Sequence, residues 1–242
     1  MKDFLIAYYS ITIKGLEILA AIIGIICYKK FKVSHERFFI YFLIYILFVE
    51  NIGSYTIYIS ENKSLNWIKE AIAGTVFQKN YWWFQIFWVI NSTLFLCYYF
   101  RKNLNNIQSK KLFAFVGYSF FIVSFFLVVL KWKTLKYGLI KILELLSFLT
   151  IFFLISNYFF QTLKSEKILK FYNNLTFYIS CAFIVFIILI TPLTFFESYF
   201  NTSDWSYIIL KWQILFLANA FMYITFIIGL IVSKPIKNIK KK

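Results

Sequence analysis

Histidine occurs once in the chain, proline twice, cysteine three times and glycine seven times among 242 residues. One histidine cannot build a multi-histidine zinc site, which argues against a zinc hydrolase, and His35, in the basic loop KKFKVSHER, reads as a solvated side chain. Cys27, Cys97 and Cys181 are scattered within or at the edges of apolar stretches. Such an odd set offers no disulfide framework and no metal-ligand spacing. Long polar segments are missing too, so there is no room for a soluble catalytic or output domain, and neither enzymatic activity nor a cofactor is expected.

Apolar residues fill the space. The chain is 61% hydrophobic and 24% aromatic with only 15% charged residues, a composition typical of polytopic membrane proteins. Seven apolar stretches are long enough to cross a hydrocarbon core about 30 Å thick, which takes roughly 20 residues of helix. They cover about 5–28, 38–59, 81–100, 112–130, 139–160, 171–195 and 207–232. These runs are too long for barrel strands and lack strict alternation, so the fold expected is an all-α integral membrane protein with seven transmembrane helices. The N-terminal stretch has no clean uncharged core and no A-x-A site, and reads as a retained first span. The wealth of Lys, Asn, Ile, Phe and Tyr points to AT-rich codons and a bacterial source.

A formal net charge of +16 does not indicate nucleic acid here, because the basic residues fall in short clusters between the apolar stretches. Sixteen lie on one side, in the loops around 29–37, 101–111 and 164–170 and in the tail from Lys234; seven lie on the other and three within spans. The positive-inside rule then places the N-terminus outside and the C-terminal KPIKNIKKK in the cytoplasm, with the chain a multi-pass protein of the cell membrane. The basic tail is also an attraction for anionic lipid. In the longest external loop, Trp67, Ile68, Ala71 and Ile72 recur at helical spacing and predict a short amphipathic helix along the interface.

Two stretches repeat. FQIFWVIN at 84–91 and WQILFLAN at 212–219 both set a Gln and then, six residues later, an Asn into apolar surroundings. In nearly the same register, Lys14-Gly-Leu-Glu17 matches Lys141-Ile-Leu-Glu144. This predicts two three-helix units, 1–100 and 139–242, joined by the fourth helix in a 3+1+3 parallel repeat about an axis along the membrane normal.

Polar groups in hydrocarbon need partners. Lys14 with Glu17, and Lys141 with Glu144, are three apart and share a helix face, which makes them, with Lys211, candidates for ion pairing. Glu50 and Asn51 sit near the middle of the second span. An ionised carboxylate is expensive there, so Glu50 needs either a lysine from another span or a proton. With the N-terminus outside, Gln85 and Gln213 fall in the outer half of their spans, and Asn91 and Asn219 lie about 9 Å deeper at 1.5 Å per residue. The convergence predicts an outward-opening pocket lined by Glu50, Asn51, Gln85, Asn91, Gln213 and Asn219, walled by Trp88 together with Tyr55, Trp83 and Trp212. Trp82, Trp132 and Trp205 read as interface-belt residues.

Seven spans in a 3+1+3 layout, with an Asn in the third and the seventh, resemble the SWEET and PQ-loop sugar and amino-acid carriers. The resemblance implies that Asn91 and Asn219 contact substrate. The chain departs from those carriers in having no PQ dipeptide and, in Pro192, only one intramembrane proline. Length and topology are similar to those of microbial rhodopsins as well, but the third span has no acidic residue to serve as counter-ion and Lys211 lies too shallow to hold retinal. The leading expectation is a receptor-like sensing module: a small polar ligand shifts helix packing, and the basic loops pass the change to a partner membrane protein or kinase. The alternatives are a proton-linked carrier of a small polar solute that uses Glu50, and a structural subunit of a membrane complex.

Overall fold

A computed structural model describes residues 2–104, 106–164, 171–196 and 205–235. Residues 197–204 of the expected external loop, Lys167 and Lys170, the side chain of Trp205 and the tail beyond residue 235 lie outside the described residues. The described chain is helical, without strands. Among the described residues seven helices are long and apolar enough to cross a membrane: Tyr8–Phe31, Arg37–Glu61, Tyr81–Asn103, Ile107–Leu130, Lys141–Leu163, Leu175–Phe195 and Ser206–Val232. The chain is a multi-pass membrane protein. These bounds match the sequence-derived ones to within about five residues, and the differences arise where polar residues such as Gln108 and Lys110 continue a helix past its apolar stretch.

We number the α-helices α1 (Lys2–Phe31), α2 (Arg37–Gly53), α3 (Tyr55–Glu61), α4 (Asn66–Ile72), α5 (Tyr81–Trp83), α6 (Asn91–Asn103), α7 (Ile107–Leu130), α8 (Lys141–Leu163), α9 (Leu175–Phe196) and α10 (Trp205–Val232). The short helix expected in the long loop is α4, with Trp67 exposed. Two spans are composite. The second is broken at Ser54, between α2 and α3, and the third runs α5, a π-helical segment over Phe84–Ile90, then α6.

Packing divides the chain into two compact units, Met1–Leu43 with Phe152–Lys242, and Ile44–Ile151. The units follow contacts and differ from the expected repeat, since residues of 1–100 and of 139–242 occur in both units.

In the first unit α10 packs against α1 and α9. Its aromatic core includes Phe39 edge-on to Phe226 at 4.8 Å and Phe183 at 5.5 Å from the same ring. Helix ends, which leave backbone groups without intrahelical partners, are closed here by side chains from far away in sequence. Lys30 Nζ donates to the carbonyls of Leu230 and Ile231 at 2.9 and 2.8 Å, in the last turn of α10. Glu36, fully buried, accepts the Leu175 N–H at the start of α9 through Oε1 (3.1 Å) and the Ser34 hydroxyl through Oε2 (2.9 Å).

In the second unit α6 packs on α7, and a buried cluster of Ile90, Phe120, Leu135, Ile140 and Leu143 forms the core. Trp82 and Trp132, expected as belt residues, pack against this cluster, with Phe77 edge-on to both. Gly117 permits the close approach of α7 to α6: a Cβ there would stand 3.2 Å from Cys97 Cβ.

Candidate functional site

The second and third spans are joined by a ladder of side-chain hydrogen bonds, one rung per helical turn. Asn80 Nδ2 donates to the Gly53 carbonyl at 2.9 Å, Trp83 Nε1 to the Val49 carbonyl at 2.9 Å, and Tyr45 Oη to the Phe87 carbonyl at 2.6 Å. Positions 53, 49 and 45 descend one helix in steps of four while 80, 83 and 87 climb the other. This is the register of two antiparallel helices whose facing residues recur every 3.6 positions. Gly53 makes the top rung possible, because a Cβ there would meet Phe84 Cζ at 2.7 Å and Trp83 Cδ1 at 3.0 Å. Beside it, Trp82 Nε1 donates to Tyr55 Oη at 3.0 Å, and the single proton of that hydroxyl has the carbonyls of Phe77 (2.6 Å) and Lys79 (2.8 Å) within reach.

The lowest rung explains the π-helical turn. In an α-helix the Asn91 N–H would bond the Phe87 carbonyl, four residues back; here it bonds Ile86 O, five back, and Trp88 O. The Phe87 carbonyl is thereby offered to a donor outside the helix, and the Tyr45 hydroxyl takes it. Asn91 Nδ2 then donates to Tyr45 Oη at 3.0 Å. Tyr45, Phe87 and Asn91 thus close a ring of hydrogen bonds around one wide turn. Single π-turns of this kind occur frequently at functional sites. Nothing in the residue types of FQIFWVI announces it, and Tyr45 was missed in the sequence because a tyrosine in an aromatic-rich span is unremarkable there. The break at Ser54 did have a signal, a Gly-Ser pair in mid-span.

Gln85 sits within the π-turn and is fully buried. Its Oε1 accepts the Ile140 N–H at 2.6 Å. Ile140 is the residue whose carbonyl accepts the first bonds of α8, from the N–H groups of Leu143 and Glu144. Gln85 therefore caps the fifth span from the third. Among the described residues, no partner lies within hydrogen-bond reach of Gln85 Nε2. Three residues past the turn, Thr93 shares a hydrogen bond with Ser147 of α8.

The other expected site residues are placed as follows. Glu50 is half-buried in the last turn of α2, and its carbonyl accepts both the N–H and the hydroxyl of Ser54, at 3.2 and 2.9 Å. Asn51 is exposed and donates back to Leu47 O of its own helix at 2.7 Å. Trp88 is half-buried within the π-turn. Lys141 and Glu144 open α8 in this same unit. Lys14, Glu17, Lys211, Gln213 and Asn219 belong to the other unit, as does Trp212, whose ring lies 6.4 Å from that of Tyr9. Glu17 is buried; Lys14, Lys211 and Gln213 are half-buried. Lys14, Glu17, Glu50, Lys141, Glu144, Lys211 and Gln213 all engage neighbouring groups. Asn219 Nδ2 donates to Leu215 O, one turn back on its own helix, at 2.8 Å. The two repeated asparagines therefore differ in use: Asn91 ties two spans together, and Asn219 satisfies itself locally.

Two hollows lie in the second unit, and neither is lined by the expected pocket residues. One, of about 800 Å³, opens among residues 129–142 and includes Lys131, Lys133 and Lys141; the other, of about 280 Å³, lies between α6 and α7. Compared with protein-family models, curated proteins and solved structures, the chain matches none.

Proposed function

We propose that this chain is a receptor-like sensing module of a bacterial cytoplasmic membrane. In this reading its N-terminus is outside, KPIKNIKKK is in the cytoplasm, and residues 1–100 and 139–242 form a parallel repeat about the fourth span. The observation that carries the reading is the π-turn held by Tyr45 and Asn91. Conversion between π and α registers shifts one residue past a turn, a rotation of about 100° and a rise of about 1.5 Å for the adjoining helix. An element with two such discrete arrangements is what a sensor needs. A small polar solute that offers a hydroxyl, which both accepts and donates as the Tyr45 hydroxyl does, can compete for Asn91 Nδ2 and the Phe87 carbonyl, and its differential affinity for the two registers sets the signal. The basic loops then present the change to a partner membrane protein or kinase.

The carrier reading has less support. The resemblance to sugar and amino-acid carriers gives Asn91 and Asn219 the same role, whereas one N–H of Asn91 goes to Tyr45 and one of Asn219 to its own backbone. The test uses the full chain in lipid nanodiscs and a panel of sugars, amino acids and dicarboxylates, read by thermal stability and by hydrogen exchange over residues 84–92. A solute that raises Tm, changes exchange in that segment and is not accumulated by proteoliposomes is the expected result. Accumulation of the same solute against its gradient overturns the sensor in favour of a carrier, and a panel without any binder leaves the structural-subunit reading ahead.

A further inference from the structure

Between Glu70 and Glu144 the chain has no acidic residue, yet it holds nine basic ones. Four of these, Arg101, Lys102, Lys110 and Lys111, stand at one end of the hairpin of α6 and α7, where residues 104–106 join the two helices. The groove of about 280 Å³ between these helices reaches the same end, because Arg101 is one of its lining residues. Along α6 it is lined at positions 94, 97, 98 and 101, a single helix face. Its floor includes Cys97, Phe113 and Gly117, all buried; its walls include Tyr98, Tyr118 and Phe121, which are 40%, 68% and 51% exposed. Cys97, Ala114 and Gly117 are small, and their size leaves the furrow open.

We propose that this groove binds an anionic phospholipid, one acyl chain lying in the furrow and the phosphate at the Arg101 guanidinium. The groove's lining is apolar along its length and turns cationic at one end, which is the polarity of a phospholipid. Guanidinium meets phosphate through two parallel N–H···O bonds, and basic pockets between transmembrane helices bind anionic head groups. Lys102, whose ammonium lies 5.4 Å from the centre of the Tyr98 ring, and Lys110 and Lys111 add to the field. No carboxylate in residues 71–143 competes for these cations.

The test is native mass spectrometry of the detergent-purified full chain with phosphatidylglycerol or phosphatidylcholine of identical acyl chains. The expected result is one tightly retained phosphatidylglycerol, preferred by roughly tenfold, as about 1–1.5 kcal/mol at one guanidinium implies. Arg101→Gln should abolish that preference and leave phosphatidylcholine retention unchanged; Ala114→Phe, which fills the furrow, should lower retention of both. Lys131→Gln, at the far end of α7, should change neither. Equal retention of the two lipids by the wild type, or a preference that survives Arg101→Gln, overturns the proposal, and Arg101→Gln decides even if Ala114→Phe does not fold. Displacement of the lipid by millimolar inorganic phosphate would reveal a free-anion site, and a dimer abolished by Ala114→Phe with no lipid retained would reveal a second copy of the chain in the groove. Either result also overturns it.

Discussion

Replacing Tyr45 with Phe removes one oxygen and keeps the ring, so packing is preserved and only the hydrogen bonds change. That oxygen donates to the Phe87 carbonyl at 2.6 Å and accepts from Asn91 Nδ2 at 3.0 Å. An interhelical side-chain hydrogen bond in a membrane contributes about 0.6–2 kcal/mol, so losing both should destabilise the protein by about 1–3 kcal/mol. Tyr45 is half-buried, which favours the lower half of that range. Asn91→Ala breaks only the second bond and should cost about 0.5–1.5 kcal/mol. The double variant should cost little more than Tyr45→Phe alone, because the Asn91 bond is already gone. The resulting coupling of about 1 kcal/mol stands clear of the 0.3–0.5 kcal/mol scatter of independent sites.

Two measurements check this. Reversible unfolding in mixed micelles by titration with dodecyl sulfate, followed by tryptophan fluorescence, gives the four stabilities of the cycle. Hydrogen exchange over residues 86–92 reports the turn itself: without the Tyr45 hydroxyl, the Phe87 carbonyl is best satisfied by the Asn91 N–H, and the segment should relax from π toward α. Additive costs within 0.3 kcal/mol, or unchanged exchange in Tyr45→Phe, would refute the idea that this hydroxyl holds the π-turn open.

Gln85→Leu should cost about 1–2 kcal/mol and raise hydrogen exchange at Ile140, since it removes the acceptor that caps α8; unchanged exchange at Ile140 would deny Gln85 that role. Glu36→Gln retains an acceptor for the Leu175 N–H and should lose about 1 kcal/mol, while Glu36→Ala should lose about 2–3 kcal/mol by leaving that N–H and the Ser34 hydroxyl without it; equal losses in the two variants would show that charge alone matters. For orientation, a cysteine introduced at 196–206 should react with an impermeant maleimide on spheroplasts and one at 101–111 should not. The reverse labelling would overturn the proposed topology.

The spans were legible because hydrocarbon imposes length and apolarity on every crossing segment. Which neighbour each polar side chain meets was not. The repeated Gln and Asn fall at the π-turn of the third span, but the identical pattern in the seventh is used differently, since a one-dimensional match fixes a helix face and not what stands opposite it. Glu36 escaped notice as a lone acid in a basic loop, and no local pattern could name the helix it closes, because α9 begins 139 residues further on.

The buried polar groups take on a common meaning once helix termini are considered. Each helix leaves unpaired N–H groups at its start and carbonyls at its end, and where such an end is buried no water is present to satisfy them. Gln85 closes the start of α8 from 55 residues away, Glu36 the start of α9 from 139, and Lys30 the end of α10 from 200. Asn80 does the same for the last carbonyl of α2. All four finish another helix, and Gln85, which looks like a ligand contact when its span is considered alone, is one of them. Tyr45 and Asn91 differ in kind: the carbonyl they enclose lies inside a helix and is exposed only because the turn there is wide. A polar group that completes a helix end is tied to folding, whereas one that holds open an interior turn can be exchanged for a solute without unmaking the span. That difference places the search for a ligand at Tyr45, Phe87 and Asn91 rather than at the more deeply buried Gln85.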